Sequence, residues 1–204
     1  MTAKTFLRRT LGDLASIQLG FSFRDRIERD PDGPAYVVQM RDLTKEQGID
    51  QTTLIKTADA GFSSQHSLQE GDLIFRARGT NNTAAISPTL PEYTVLAAPL
   101  LRIRALSGET SPRYLQLILN SPGSQAYFAA HSQGTAVRQI TKGKLAALPV
   151  IIPPLEIQLE VVELAELAEK EAQILEALAQ MKRNYSQKAI FSLILEGKRR
   201  THEL

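Results

Sequence analysis

Up to Pro153-Pro154, short apolar runs alternate with turn residues; beyond that pair neither glycine nor proline occurs until Gly197. The first stretch has the habit of a strand-rich mixed domain. Its spacing predicts strands at Tyr36–Met40, at Asp72–Arg78 (entered through Glu70-Gly71 and ended by Gly79) and at Ala98–Ala105. Leu148-Pro149-Val150-Ile151-Ile152 reads as a late edge strand, the one place in a sheet that tolerates a proline. Helical stretches are predicted at Thr10–Ile17, Ser111–Leu119, Pro122–Ala130 and Thr141–Ala147. In the second of these Ser111 can cap and Pro112 falls at the first helical position, where its missing N–H costs nothing.

After Pro154 the chain is rich in Glu, Leu, Ala, Gln and Lys, all good helix formers. Leu164, Leu167, Ala168, Ile174, Leu175, Leu178 and Met181 recur at steps of three and four, which places them on one stripe. Written as heptads, one seam runs Leu164, Glu171, Leu178, Tyr185 and the other Leu167, Ile174, Met181, Lys188, with Glu171 as a flaw. A helix from Leu155 to about Arg183 would be roughly 43 Å long. One small domain cannot cover it, so its stripe requires a partner helix, from a second copy or from another protein. The expected fold is therefore α+β: a mixed α/β domain over residues 1–152, followed by a long coiled-coil-forming helix over 153–204.

The 204 residues are 43% hydrophobic, enough to bury a core, and carry a net charge of +2. That charge divides unevenly, +4 over residues 1–154 and −2 over 155–204, by count of Lys, Arg, Asp and Glu. A modest basic excess is compatible with nucleic acid without demonstrating it. With no cysteine and three widely separated histidines, thiol chemistry and the usual zinc sites have no ligands to draw on. His131-Ser132 lacks the surroundings of a nucleophile elbow, and no phosphate-binding glycine loop is present. Ile152-Pro153-Pro154-Leu155 lacks the polar and aromatic residues of an amino-methyltransferase motif. Asp13, Asp42, Asp59 and Asp72 are scattered and read as turn or cap residues. No run approaches the ~18 apolar residues of a membrane span, and Met1–Arg9 has no signal-peptide core, so a soluble, cytoplasmic protein without enzymatic activity, metal or cofactor is expected.

What remains are basic pairs two residues apart: Arg24/Arg26, Arg76/Arg78, Arg102/Arg104 and Lys142/Lys144. On a strand, alternate residues share a face, so the middle two pairs would each project side by side while Ala77 and Ile103 point inward. Two loops, Arg76–Asn82 and Ser132–Gln139, collect arginine and amide side chains. Arginine pairs with guanine and Asn or Gln with adenine through two hydrogen bonds each, so both loops hold groups suited to base edges.

Several landmarks occur in an order that resembles the target-recognition domain and following helix of Type I restriction-modification specificity subunits. These are Leu11-Gly12-Asp13-Leu14 with Gly20; Glu70-Gly71-Asp72-Leu73-Ile74 with Arg76–Gly79; Pro112-Arg113-Tyr114-Leu115 with Leu119-Asn120-Ser121; and Gly134, Ile140, Leu145, Leu148-Pro149-Val150, Pro153-Pro154-Leu155 and Gln158. The chain departs from the pattern at Ile157-Gln158, where many members carry Glu-Gln. The resemblance implies a non-catalytic reader of double-stranded DNA. It implies methyltransferase subunits as partners, which carry S-adenosylmethionine, and a restriction subunit that uses the same address. Full-length members hold two such domains and two such helices, so one set implies a half-subunit that pairs with a second copy, or a truncated form. A two-fold pair would read a split palindrome, with the helices as a ruler of roughly 12 base pairs.

In that setting Arg24, Arg26, Arg102, Arg104, Lys142 and Lys144 are candidates for phosphate contacts. Arg76, Arg78, Asn81, Asn82, Gln133, Thr135 and Arg138 are candidates for base reading. Leu164, Leu167, Ala168, Ile174, Leu175, Leu178 and Met181 are the candidate partner face. The rival reading is a coiled-coil adaptor whose mixed domain binds another protein.

Overall fold

The structure, a computed structural model, describes residues 6–44, 48–58, 61–79, 82–91, 93–106, 108–134 and 137–201, with side chains of the last helix followed to Leu193. Two compact units emerge, Met1–Val162 and Glu163–Leu204. The fold is mixed α/β with a long C-terminal helix, as expected from the pattern.

The first unit is built on a four-stranded antiparallel sheet in the order β2 (Ala15–Leu19), β8 (Leu100–Ala105), β5 (Leu73–Arg76), β6 (Ala84–Ile86). Its first face carries Ile17, Leu73, Phe75, Leu101 and Ile103. These pack beneath α1 (Leu11–Leu14), α2 (Pro112–Asn120), α3 (Pro122–His131) and α4 (Lys142–Ala146) through Leu11, Leu14, Leu115, Leu119, Phe128 and Leu145. Phe75 meets Phe128 edge-to-face at 5.1 Å between ring centres, a geometry worth about 0.5–1.5 kcal/mol beyond its area. The second face carries Ile74, Ala85 and Leu100. It packs against Val38, Leu43, Leu68 and Leu96 of a layer formed by β4 (Ile55–Thr57), β3 (Ala35–Val38) and β7 (Thr94–Leu96). Both faces of β5 are thus covered, which is why Leu73-Ile74-Phe75 is continuously apolar rather than alternating.

Local signals account for the helices. Ser111 Oγ accepts from Tyr114 N at 3.1 Å with Pro112 at the first turn, Ser121 Oγ accepts from Ser124 N at 3.3 Å, and Thr141 Oγ1 accepts from Lys144 N at 3.3 Å. The Asn120 amide closes on Ala84 from the end of α2, its Oδ1 accepting Ala84 N at 2.8 Å and its Nδ2 donating to Ala84 O at 2.9 Å. That pairing occupies part of the open edge of β6.

Three expectations are revised, and the late edge strand is confirmed. The helix predicted over Thr10–Ile17 is a single turn, Leu11–Leu14, followed by β2, because Ala15–Leu19 pairs along β8 and buries Ile17 there. The expected late edge strand is present as Pro149–Ile152 (β9), which pairs with β1 (Leu7–Thr10) in a two-stranded ribbon. The last helix, α5, runs Leu155–Thr201, far past Arg183, and its 47 residues span about 70 Å. The first compact unit also extends beyond residue 152, because Gln158 is wholly buried. The Gln158 amide donates to Glu109 O and Pro153 O at 2.9 Å each and accepts from Ser111 N at 3.0 Å and Thr110 Oγ1 at 3.2 Å. The departure beside it in the sequence, Ile157, leaves this knot intact.

Candidate nucleic-acid interface

The two polar loops singled out in the sequence meet in space. Gln133 and Gln139 exchange both backbone hydrogen bonds, at 2.8 and 2.9 Å, and close the intervening loop into a small hairpin. On its other side Gln139 stands opposite Arg78, bracketed by Gly79 N→Arg138 O at 2.9 Å and Ile140 N→Ala77 O at 2.8 Å. The result is a three-strand ribbon one residue deep, in the order Arg78, Gln139, Gln133.

Glycines permit it. Gly134 has φ of +105°, and a Cβ there would lie 2.5 Å from Val137 O, so only glycine closes this hairpin. Gly79, at φ +112°, turns the chain away after Arg78.

Directly opposed residues of an antiparallel pair project from the same face. The neighbours establish which face that is: Ala77 and Ile140 are buried in the core beneath the helices, and Arg138 reaches back to Ala129 O at 3.3 Å. Arg78, Gln139 and Gln133 are therefore on the opposite, exposed face. Among the described residues none of their three side chains has a hydrogen-bond partner.

The ribbon is flanked by α4, whose Lys142 and Lys144 are both exposed. On a helical turn residues two apart diverge, so these lysines do not project side by side as a strand pair would. Tyr127 and His131 stack at 4.0 Å near the end of α3, and the Tyr127 hydroxyl donates to Lys144 O at 3.0 Å. That contact ties α3, which precedes the hairpin, to α4, which follows it.

Other candidates are engaged inside the fold. Arg76, Arg102 and Arg104 lie on the second face of the main sheet, where Arg102 is buried and Arg76 and Arg104 are half-buried. Arg76 Nη2 donates to Leu43 O at 2.6 Å and holds the turn Met40–Asp42. Arg102, 7% exposed, donates to Gln65 O at 2.8 Å, Ser67 O at 3.0 Å and Gln18 Oε1 at 2.8 Å. Burial and then the neighbouring Arg104 charge lower its pKa from the ordinary arginine value. Arg104 forms a two-pronged pair with Asp72, at 2.6 and 2.7 Å, whose hydrogen bonds raise its pKa. Period two correctly puts Arg102 beside Arg104, but on that face both are engaged, Arg102 and Arg104 with Ser67 O and Arg104 with Asp72. Asn82 is buried and donates to Arg76 O at 2.8 Å. We assign these four side chains structural roles. Asn81 and Thr135 lie outside the described residues, as does Asp59.

Arg24 and Arg26 are exposed in a separate cleft of about 890 Å³ lined also by Phe21, Phe23, Asp25 and Glu28. Its charges are mixed, and Phe21, Phe23, Phe62, His66 and Tyr93 form an edge-to-face aromatic cluster alongside. Asp13, Asp42 and Asp72 each accept the backbone N–H three residues earlier, from Thr10, Gln39 and Gln69 at 2.7–2.9 Å, as turn-closing carboxylates. Among the described residues no group of His, Asp and Glu is arranged to hold a metal, and no described helix is long and apolar enough to cross a membrane.

On α5 the candidate partner face is exposed throughout. Leu164 is 69%, Leu178 59% and Met181 68% accessible, and Leu167, Ala168, Ile174 and Leu175 are exposed with them. Beyond Met181 the exposed apolar residues continue through Tyr185, Ile190, Phe191 and Leu193. Gln139 was not among the residues singled out. The one hint in the sequence is the glycine at 134, which permits a tight turn ahead of it.

The fold agrees with known proteins. The sequence model of the Type I restriction modification DNA specificity domain matches residues 4–180. The chain is 29% identical over 108 residues to the EcoEI specificity subunit of a Type I restriction enzyme from Escherichia coli, a match covering 50% of this chain and 18% of that protein. Among solved structures, the HsdS subunit from Thermoanaerobacter tengcongensis superposes with a TM-score of 0.62 at 18% identity, covering 85% of this chain and 44% of that one. The Type I system S subunit from M. genitalium gives 0.56 at 12% identity, covering 90% and 44%. The chain belongs to the Type I restriction modification DNA specificity domain family. It spans less than half the length of these relatives.

Proposed function

We propose that this chain reads one half of a split DNA site and delivers partner methyltransferase and restriction subunits to it. The observation that carries this reading is the ribbon. Two loops distant in sequence converge to present Arg78, Gln139 and Gln133 on one exposed face, with Lys142 and Lys144 beside it to meet phosphates. Arg24 and Arg26 are a second phosphate-contact candidate, on the separate cleft. S-adenosylmethionine belongs, in this reading, to the methyltransferase, and the chain itself needs no cofactor. The setting is the cytoplasm and the biological role defence against phage DNA.

The helix α5 supplies the assembly surface. Its charge is segregated: residues 156–176 hold seven Glu against Lys170 alone, while 177–201 hold six Lys and Arg against Glu196 alone. Two copies aligned head to tail would set each acidic half against the other's basic half while closing the apolar stripe; a parallel pair would oppose like charges. Such a two-fold pair carries two identical readers, so its site is a split palindrome.

The test is titration of the full chain with duplex DNA across a range of salt concentrations. This reading expects sequence-selective binding whose logarithm falls linearly with the logarithm of salt. Binding that is absent, or indifferent to sequence, would support a coiled-coil adaptor instead.

A further inference from the structure

Gln139 occupies a position no other exposed side chain among the described residues shares. Its backbone N–H and C=O are both bonded to Gln133, and the bonds on either side of it fasten the same strand to Ala77–Gly79. It is the middle rung of the ribbon, restrained from both sides, while its amide is exposed. A side chain aimed at a base edge gains from such restraint, because less backbone freedom is lost on binding.

Resting on the reading of the chain as a DNA reader, we propose that Gln139 is its central base-reading residue. It contacts an adenine through two hydrogen bonds in the major groove, with Arg78 and Gln133 reading the positions on either side. Neighbouring strands lie ~4.8 Å apart, so three adjacent rungs cover ~10 Å. Base pairs rise by ~3.4 Å each, so this row spans about three base-pair steps. The glutamine amide both accepts and donates: its Oε1 accepts from adenine N6 and its Nε2 donates to N7. Arg78 instead donates twice and suits guanine O6 and N7. Arg78 at an edge rung and amides at the other two thus specify a purine pattern of guanine beside adenines. Arg138, although in the same loop, points from the other face toward Ala129 and takes no part in this row.

The experiment is selection from a randomised duplex library by the full chain, wild type and variants, followed by sequencing. For the wild type the proposal expects an enriched motif. Gln139→Ala should lose preference at one base pair of it by about five- to 150-fold, leaving the other positions as they were. Gln139→Glu should move that same position toward cytosine, whose N4 amino group donates to a carboxylate; a gain of a new preference cannot arise from misfolding. If the wild type enriches a motif and both variants enrich the same one unchanged, the assignment of Gln139 is overturned while the functional reading stands. If the wild type enriches nothing, the functional reading fails and the assignment with it.

Discussion

Arg104 on β8 grips Asp72 at the entrance to β5 with two hydrogen bonds of 2.6 and 2.7 Å, and Asp72 is only 1% exposed. The same carboxylate accepts Gln69 N at 2.8 Å, so one buried anion holds both the turn into β5 and the strand beside it. The Nε and Nη2 groups of Arg104 are thereby committed to a structural partner. Replacing Arg104 by alanine strands a buried carboxylate, which should cost about 3 kcal/mol or more and lower the melting temperature by roughly 6–12 °C for a chain of this size. Thermal unfolding followed by circular dichroism checks it. An unchanged melting point would mean the pair contributes nothing.

Gln158 joins the start of α5 to the cap of α2 with four hydrogen bonds and no exposure. Gln158→Leu fills similar space but leaves Ser111 N, Glu109 O and Pro153 O without their partner. The expected loss is about 2–3 kcal/mol, since each buried group left unsatisfied carries a desolvation penalty. The denaturant midpoint should fall with little change in slope.

Lys142 and Lys144 stand beside the ribbon and should act through charge alone. Lys142→Ala and Lys144→Ala should each weaken all duplexes alike and reduce the salt slope by about 1, without altering which sequence is preferred. Arg102→Ala provides the contrast: buried on the second face of the main sheet, it should lower the melting temperature and leave the salt slope unchanged. Binding isotherms at several salt concentrations distinguish the two behaviours.

Leu178 lies near the middle of the α5 stripe and is 59% exposed. Leu178→Asp should therefore shift the chain from dimer to monomer without a matching fall in the melting temperature of the mixed domain. Sedimentation equilibrium measures the first and calorimetry the second. A wild-type chain that is monomeric at micromolar concentrations would contradict self-pairing through this face.

Much of the architecture is legible in the sequence because its signals are local. Ser111-Pro112 and Thr141 announce helix starts by capping chemistry, and the glycine-free run after Pro154 announces α5. The short strands β4, β6 and β7, three residues each, carry too little periodicity to be seen; they exist because partners elsewhere in the chain pair with them. The same non-locality governs the candidate site. Arg76, Arg102 and Arg104 look like solvated strand faces until Leu43 O, Gln65 O and the Asp72 carboxylate, all distant in sequence, are found against them. Conversely, Gln139 is inconspicuous in the sequence and becomes central only when Arg78, sixty-one positions earlier by numbering, is found opposite it.

The central claim is that this chain addresses chemistry to a DNA sequence that it reads itself. The most direct test is methylation mapping by single-molecule sequencing, in a methylation-free host that expresses the full chain together with its methyltransferase partner. We predict a split palindromic motif methylated only when the chain is present, and lost or altered at one position when Arg78 is replaced by alanine. Methylation that is the same with and without the chain, or no motif despite a stable complex, would contradict the account.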